Sequence, residues 1–160
     1  MAKMEPILKS ASCIKRYENN PILTKENIPY SADLIFNAGV CKWKDEYIMI
    51  FRNDYGFKEG EWFKGTNLGL ARSKDGLSFT VFEKPFYTND DINDPEIKRV
   101  YDPRLTVIDN EIFICFAVDT HHGLRGGIGK IRDDLSTMDI ISLSVPDNRN
   151  MVLFPEKING

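Results

Sequence analysis

The side chains able to do chemistry lie in short polar groups beside apolar runs. Asn37 follows Phe36 at the start of one run, and Arg52 closes the next. Tyr101-Asp102-Pro103-Arg104 precedes a third run, and Asp119-Thr120-His121-His122 follows directly on Val118. Asp147-Asn148-Arg149-Asn150 lies just before a fourth. Carboxylate, guanidinium, amide and phenol are groups that transfer protons or grip polar ligands. Each also has a plain structural alternative. Asp102-Pro103 can open a turn, Arg149 can be a solvated loop cation, and Arg52 with Asp54 can be a surface ion pair worth under about 1 kcal/mol. Asp75-Gly76 belongs wholly to a turn. Several familiar sites are absent: the sequence has no GxSxG elbow, no P-loop and no HExxH. Gly126, Gly127 and Gly129 sit in strand-like sequence with no helix opening after them, as a dinucleotide fingerprint requires. His121 and His122 are adjacent, so on a strand they would face opposite ways and make poor joint ligands for a metal. A loop histidine meeting substrate or solvent fits better, and no metal is expected.

The elements that must position these groups are short strands joined by tight turns. Residues 36–43 alternate loosely, Lys44-Asp45 is polar, and 46–52 (EYIMIFR) is rich in β-formers, which together read as a hairpin. A second runs through 67–73, the turn Lys74-Asp75-Gly76 and 77–82. A third joins 105–108 to 111–118 across Asp109-Asn110, and a fourth joins 127–132 to 138–143. The first-hairpin turns at 44 and 109 lie 65 residues apart, and the second-hairpin turns at 75 and 134 lie 59 apart. A four-stranded unit recurring about every 60 residues is the signature of propeller blades. Residues 83–101 form a polar, Pro-containing insertion too long for a simple connection. Residues 152–158 look like the opening strand of a third unit, with Asn159-Gly160 as its hairpin turn. The expected organisation is an N-terminal segment, 1–30, and a partial propeller, 31–160, broken off at Gly160. Within the N-terminal segment, 7–17 is expected to form a short helix and 20–24 an entering strand. Strand ends converge on the axis of a propeller, so polar groups distant in sequence can meet there.

Composition narrows the class. Of 160 residues 42% are hydrophobic and 28% charged, near the average for a globular protein. The formal charge of −3 lacks the footprint of a nucleic-acid binder. No apolar run approaches the roughly 20 residues of a spanning helix, and the first residues do not form a secretory signal. Three widely spaced cysteines, Cys13, Cys41 and Cys115, argue for a reducing compartment. A cytoplasmic protein without nucleic-acid or membrane partners is expected.

Five motifs in order carry a resemblance: Phe36-Asn37-Ala38-Gly39, Phe51-Arg52, Ala71-Arg72-Ser73-Lys74-Asp75-Gly76, Tyr101-Asp102-Pro103-Arg104, and Asn148-Arg149-Asn150 running on to Ile158. Together they resemble glycoside hydrolase family 130, the β-mannoside phosphorylases and related mannosidases, from about Asn20 to Gly160. The resemblance implies an all-β, five-bladed β-propeller, of which this chain holds about two blades plus the first strand of a third. It implies inverting phosphorolysis of a β-1,4-mannosyl disaccharide to α-mannose 1-phosphate and a free sugar. Residues 116–128 look most like the branch that acts on mannosyl-glucose. Asp102 takes the family's general-acid role, passing its proton through a sugar hydroxyl. Asn37, Arg52, Tyr101, Asp119 and His121 are implied on the sugar side, and Arg149 with Asn150 as phosphate ligands. The implied partners are a mannose-containing oligosaccharide and inorganic phosphate as co-substrate, with no cofactor; self-association into a homo-oligomer is open. Ala38 stands where some relatives carry serine. Two alternatives remain: a β-mannosidase of the same fold, and a carbohydrate-binding propeller without activity. The 160 residues alone, unable to close a ring, are expected to be inactive.

Overall fold

The computed structural model describes residues 11–159 and is all-β. Two four-stranded antiparallel meanders follow one another along the chain. The first holds β1 (Leu34–Trp43), β2 (Glu46–Tyr55), β3 (Gly65–Ser73) and β4 (Thr80–Val81). The second holds β5 (Ile97–Ile108), β6 (Glu111–Thr120), β7 (Gly123–Ile131) and β8 (Met138–Leu143). Each sheet keeps its strands in sequence order, as propeller blades do.

Alternation along β2 explains how the layers stack. Ile48 and Ile50 point one way and join Leu68, Leu70, Val100, Ile114, Phe116 and Val118 in the core between the two sheets. Met49 and Phe51 point the other way and are covered by Ile22, Leu23, Ile28 and Tyr30. The N-terminal segment thus seals the outer face of the first sheet. At the inner rim β1 runs against β5, and Gly39 makes this close approach feasible. A Cβ there would lie 2.9 Å from the Leu105 backbone nitrogen and 3.0 Å from the Arg104 Cα. Nearby, the indole N–H of Trp43 donates to the Asn110 carbonyl at 2.7 Å, tying the inner turns of the two blades together.

The paired turns fall where the sequence puts them, with Lys44, Asp109 and Asn110 in the left-handed region and Gly76 at φ 76°. Other expectations need correction. β5 begins at Ile97, so the insertion is shorter than 83–101, and the chain stays in the ladder through Pro103 by way of a bulge. β4 has two residues, because the Asp75 carboxylate turns residues 77 and 78 aside by accepting their backbone N–H groups. Residues 11–17 form no helix; they are exposed, and a helix this short needs a packed face to persist. Residues 7–10 lie outside the described residues. Residues 20–24 form no strand, since Thr24 instead caps the 3-10 turn Lys25–Asn27. Residues 152–158 make no ladder, having no strand beside them, and Val152, Phe154 and Ile158 are exposed.

Candidate active site

Two equivalent distortions build the site. The β1–β2 register slips between Phe36 and Gly39, and the β5–β6 register slips between Tyr101 and Arg104. The residue in each slip has a left-handed backbone: Asn37 at φ 49° and Asp102 at φ 55°. Asn and Asp are the side-chain-bearing residues that tolerate this region best. Backbone strain of this kind gathers where side chains must be aimed. Both positions lie seven residues before an inner turn, so they are the same place in consecutive blades. Their side chains meet: Asn37 Nδ2 donates to Asp102 Oδ1 at 2.9 Å.

Arg52 enters from β2. Its Nη1 donates to Asp102 Oδ1 at 3.2 Å, while Nε and Nη2 grip Asp54 at 2.9 and 2.8 Å. Asp54 shares a β2 face with Arg52 and stands opposite Thr66 on β3, whose hydroxyl donates to Asp54 Oδ1 at 2.7 Å. The guanidinium lies 4.6 Å from the Phe36 ring centroid and 4.8 Å from that of Tyr101. Burial works against its charge, but the hydrogen bonds and charges of Asp54 and Asp102 outweigh that, and its pKa stands above the usual value. The plain alternative for Arg52 and Asp54, a surface ion pair, does not hold: both side chains are largely buried.

Tyr101 touches Asp119 through its hydroxyl and three arginines through its ring. Its hydroxyl donates to Asp119 Oδ1 at 2.7 Å, and Arg99 donates to the other oxygen of the same carboxylate. Burial, reinforced by the Asp119 bond and charge, pushes the phenol up to about 12, so it remains a neutral donor at physiological pH. Arg99 stacks at 4.8 Å and Arg149 at 5.9 Å from its ring centroid. Arg149 also brings Nη2 to 3.8 Å from Asp102 Oδ2, the oxygen left free by Asn37 and Arg52.

Asn37, Arg52, Tyr101, Asp102 and Arg149 thus converge, with Asp119 joined through Tyr101. Two expected site residues do not join them. His121 sits exposed on the β6–β7 turn, tied by its backbone N–H to the Glu96 carbonyl. Asn150 is exposed with a left-handed backbone and makes no side-chain bond to the cluster. Thr66 and Arg99 were missed from sequence, Phe36 stood there only as a motif neighbour of Asn37, and Asp54 only as a surface partner of Arg52. The Arg52-x-Asp54 spacing was the available signal, since period two on a strand puts both on one face. Among the described residues no group of three or more His, Cys, Asp or Glu could hold a metal ion. A groove of about 610 Å³ runs along β8 past Tyr87, Asp94 and Ile141 and does not include the cluster.

The sequence model of the family described as beta-1,4-mannooligosaccharide phosphorylase, glycoside hydrolase family 130, matches residues 4–160. A beta-1,4-mannooligosaccharide phosphorylase of Ruminococcus albus is 29% identical across 95% of this chain and 46% of its own length. A beta-1,2-mannobiose phosphorylase of a Thermoanaerobacter species is 31% identical across 92% of this chain and 52% of its own. The solved beta-1,2-mannobiose phosphorylase of Listeria innocua, in complex with beta-1,2-mannobiose, superposes with a TM-score of 0.74 at 21% identity, over 91% of this chain and 55% of that one. The chain spans about half the length of the curated relatives it matches. Its two sheets are two blades of a five-bladed β-propeller, and the chain belongs to glycoside hydrolase family 130.

Proposed function

We propose that the protein carrying this chain cleaves β-mannosides by phosphorolysis with inversion, releasing α-mannose 1-phosphate and a free sugar. The observation that carries this reading is the state of the carboxylates. Asp54 has both oxygens bonded to Arg52 and one also to Thr66, and Asp119 is held by Arg99 and Tyr101. Among the described residues Asp102 is the carboxylate of the cluster with an oxygen free of hydrogen bonds. An inverting hydrolase needs a second carboxylate, about 6.5–9.5 Å away, to activate water. Phosphate arrives nucleophilic and anionic, and what it needs is cations.

In this mechanism a phosphate oxygen attacks the mannosyl anomeric carbon from the face opposite the leaving group. The bond from that carbon to the glycosidic oxygen breaks. Asp102 supplies the proton for the leaving oxygen, relayed through a hydroxyl of the mannosyl ring. Asn37 and Arg52 fix the Asp102 carboxyl and border the mannosyl ring, and Tyr101 lies toward the acceptor. Arg149, half-exposed beside Asp102, is poised to hold phosphate through charge-assisted hydrogen bonds, with Asn150 beside it in sequence. Among substrates we favour β-1,4-mannosyl-glucose, on the strength of residues 116–128. The relatives above are named for other β-mannosides. Incubating the full-length protein with a β-mannoside and phosphate should yield mannose 1-phosphate in step with free acceptor. Equal rates of free-mannose release with and without phosphate would assign it to the mannosidases instead.

A further inference from the structure

The β2–β3 connection, residues 56–64, carries three aromatic side chains that the Asp102 cluster does not use. Trp62 is 75% exposed and Phe57 57%. Phe63 ties them together, edge-on to Trp62 with centroids 6.2 Å apart and tilted against Phe57 at 5.3 Å. The loop is anchored at its base. The Phe57 N–H donates to Asp33 Oδ2 at 2.9 Å, the Lys64 N–H to the Gly56 carbonyl at 3.3 Å, and the Glu61 N–H to the Lys58 carbonyl at 3.0 Å. Grouped, exposed aromatics on a held loop mark a binding surface.

Charge and position select the occupant. Lys58 and Lys64 balance Glu59 and Glu61, and Lys58 pairs with Glu61 at 3.8 Å. A polyanion or a polycation would find no net field here. A neutral ligand with apolar C–H faces would find three rings. Antiparallel order places the end of β2 and the starts of β1 and β3 on one rim, the rim that holds Asn37, Arg52 and Asp54. Phe57 is five residues beyond Arg52, at most about 18 Å of extended chain, within the reach of a few linked sugar rings.

We infer that Trp62, supported by Phe63 and Phe57, is a stacking subsite for a distal sugar ring of a mannooligosaccharide whose scissile bond lies at Asp102. The inference rests on the β-mannoside reading of that site and extends it from disaccharides to longer substrates. The full-length protein can be compared with W62A and W62F on β-1,4-mannobiose and β-1,4-mannotetraose. The ratio of kcat/KM for tetraose over biose should fall about tenfold in W62A, the scale of one lost aromatic contact, and stay within about twofold in W62F. An equal loss on both substrates, no change in the ratio, or a W62F value matching W62A would overturn the subsite. Fluorescence separates binding from turnover when wild-type emission is read as a difference from W62F, which lacks only that indole; Trp43 of this chain is buried. An emission change on titrating β-1,4-mannotetraose, present in wild type and lost in W62F, is expected. Its absence would overturn the subsite even if phosphorolysis proceeds. Its presence without phosphate-dependent turnover would keep the subsite and remove the phosphorylase reading. A change driven by protein concentration without sugar would assign the loop to a second copy of the protein and overturn the inference.

Discussion

Arg52 is held by ring faces at Phe36 and Tyr101, a two-point grip on Asp54, and an Nη1–H aimed at Asp102. Fixing a guanidinium in this way pre-orders the site, so the cost is met in folding rather than in binding. Asp54 is then a positioning residue. Asp54→Asn keeps the shape and removes the charge that compensates Arg52 deep in the structure. Breaking a buried pair costs about 3–5 kcal/mol, so this variant should melt lower and lose roughly a hundredfold in kcat/KM. Thr66→Val removes one hydrogen bond to the same carboxylate and should cost nearer 1 kcal/mol. Thermal melts with steady-state kinetics check both. If Asp54→Asn keeps wild-type kinetics, Arg52 needs no such anchor.

At the scale of the strand, the two bulges turn ordinary inner strands into aiming devices. Without the slip, Asn37 and Asp102 would alternate with their neighbours and lose their convergence. The strands must also approach closely, which is why Gly39 faces backbone. Gly39→Ala should cost about 1–3 kcal/mol by overpacking and also weaken activity, because it pushes β5, and Asp102 with it, away from Asn37. Unfolding midpoints and turnover together test this, and a stable, fully active Gly39→Ala would contradict the close-approach account. Much at this scale was legible in sequence. The turns at 44–45 and 109–110 and the span of β8 follow from local alternation and turn residues. The start of β5 was hidden because Lys98, Arg99 and Asp102-Pro103 look like loop, and only a bulge keeps such residues in a ladder. The burial of Asp54 was hidden for a different reason. It depends on Thr66 across the sheet and on an Arg52 guanidinium covered by the Tyr101 ring, which local spacing does not encode.

At the scale of the molecule, two blades share one core, and the groups buried in and around them set the response to pH. Burial pushes Tyr30 and Tyr101 up to about 12 and the Cys41 thiol up to about 11. These groups ionise more readily in the unfolded chain, so their contribution is intact below about pH 9 and is lost as pH rises through about 9–12. Tyr30→Phe should flatten that alkaline loss with no penalty at pH 7, since the Tyr30 hydroxyl is buried without a hydrogen-bond partner among the described residues. Urea midpoints at neutral and alkaline pH read this directly, and an unchanged slope would contradict it. The proposed chemistry centres on one carboxyl, that of Asp102, supplied by the second blade and fixed by Asn37 and Arg52 of the first. Phosphate-dependent turnover of the full-length protein, wild type against Asp102→Asn, tests it most directly. Removing a general acid should lower the rate by about 10²–10⁴-fold with the fold and sugar binding retained. An Asp102→Asn variant that turns over as fast as wild type would show that the proton comes from elsewhere.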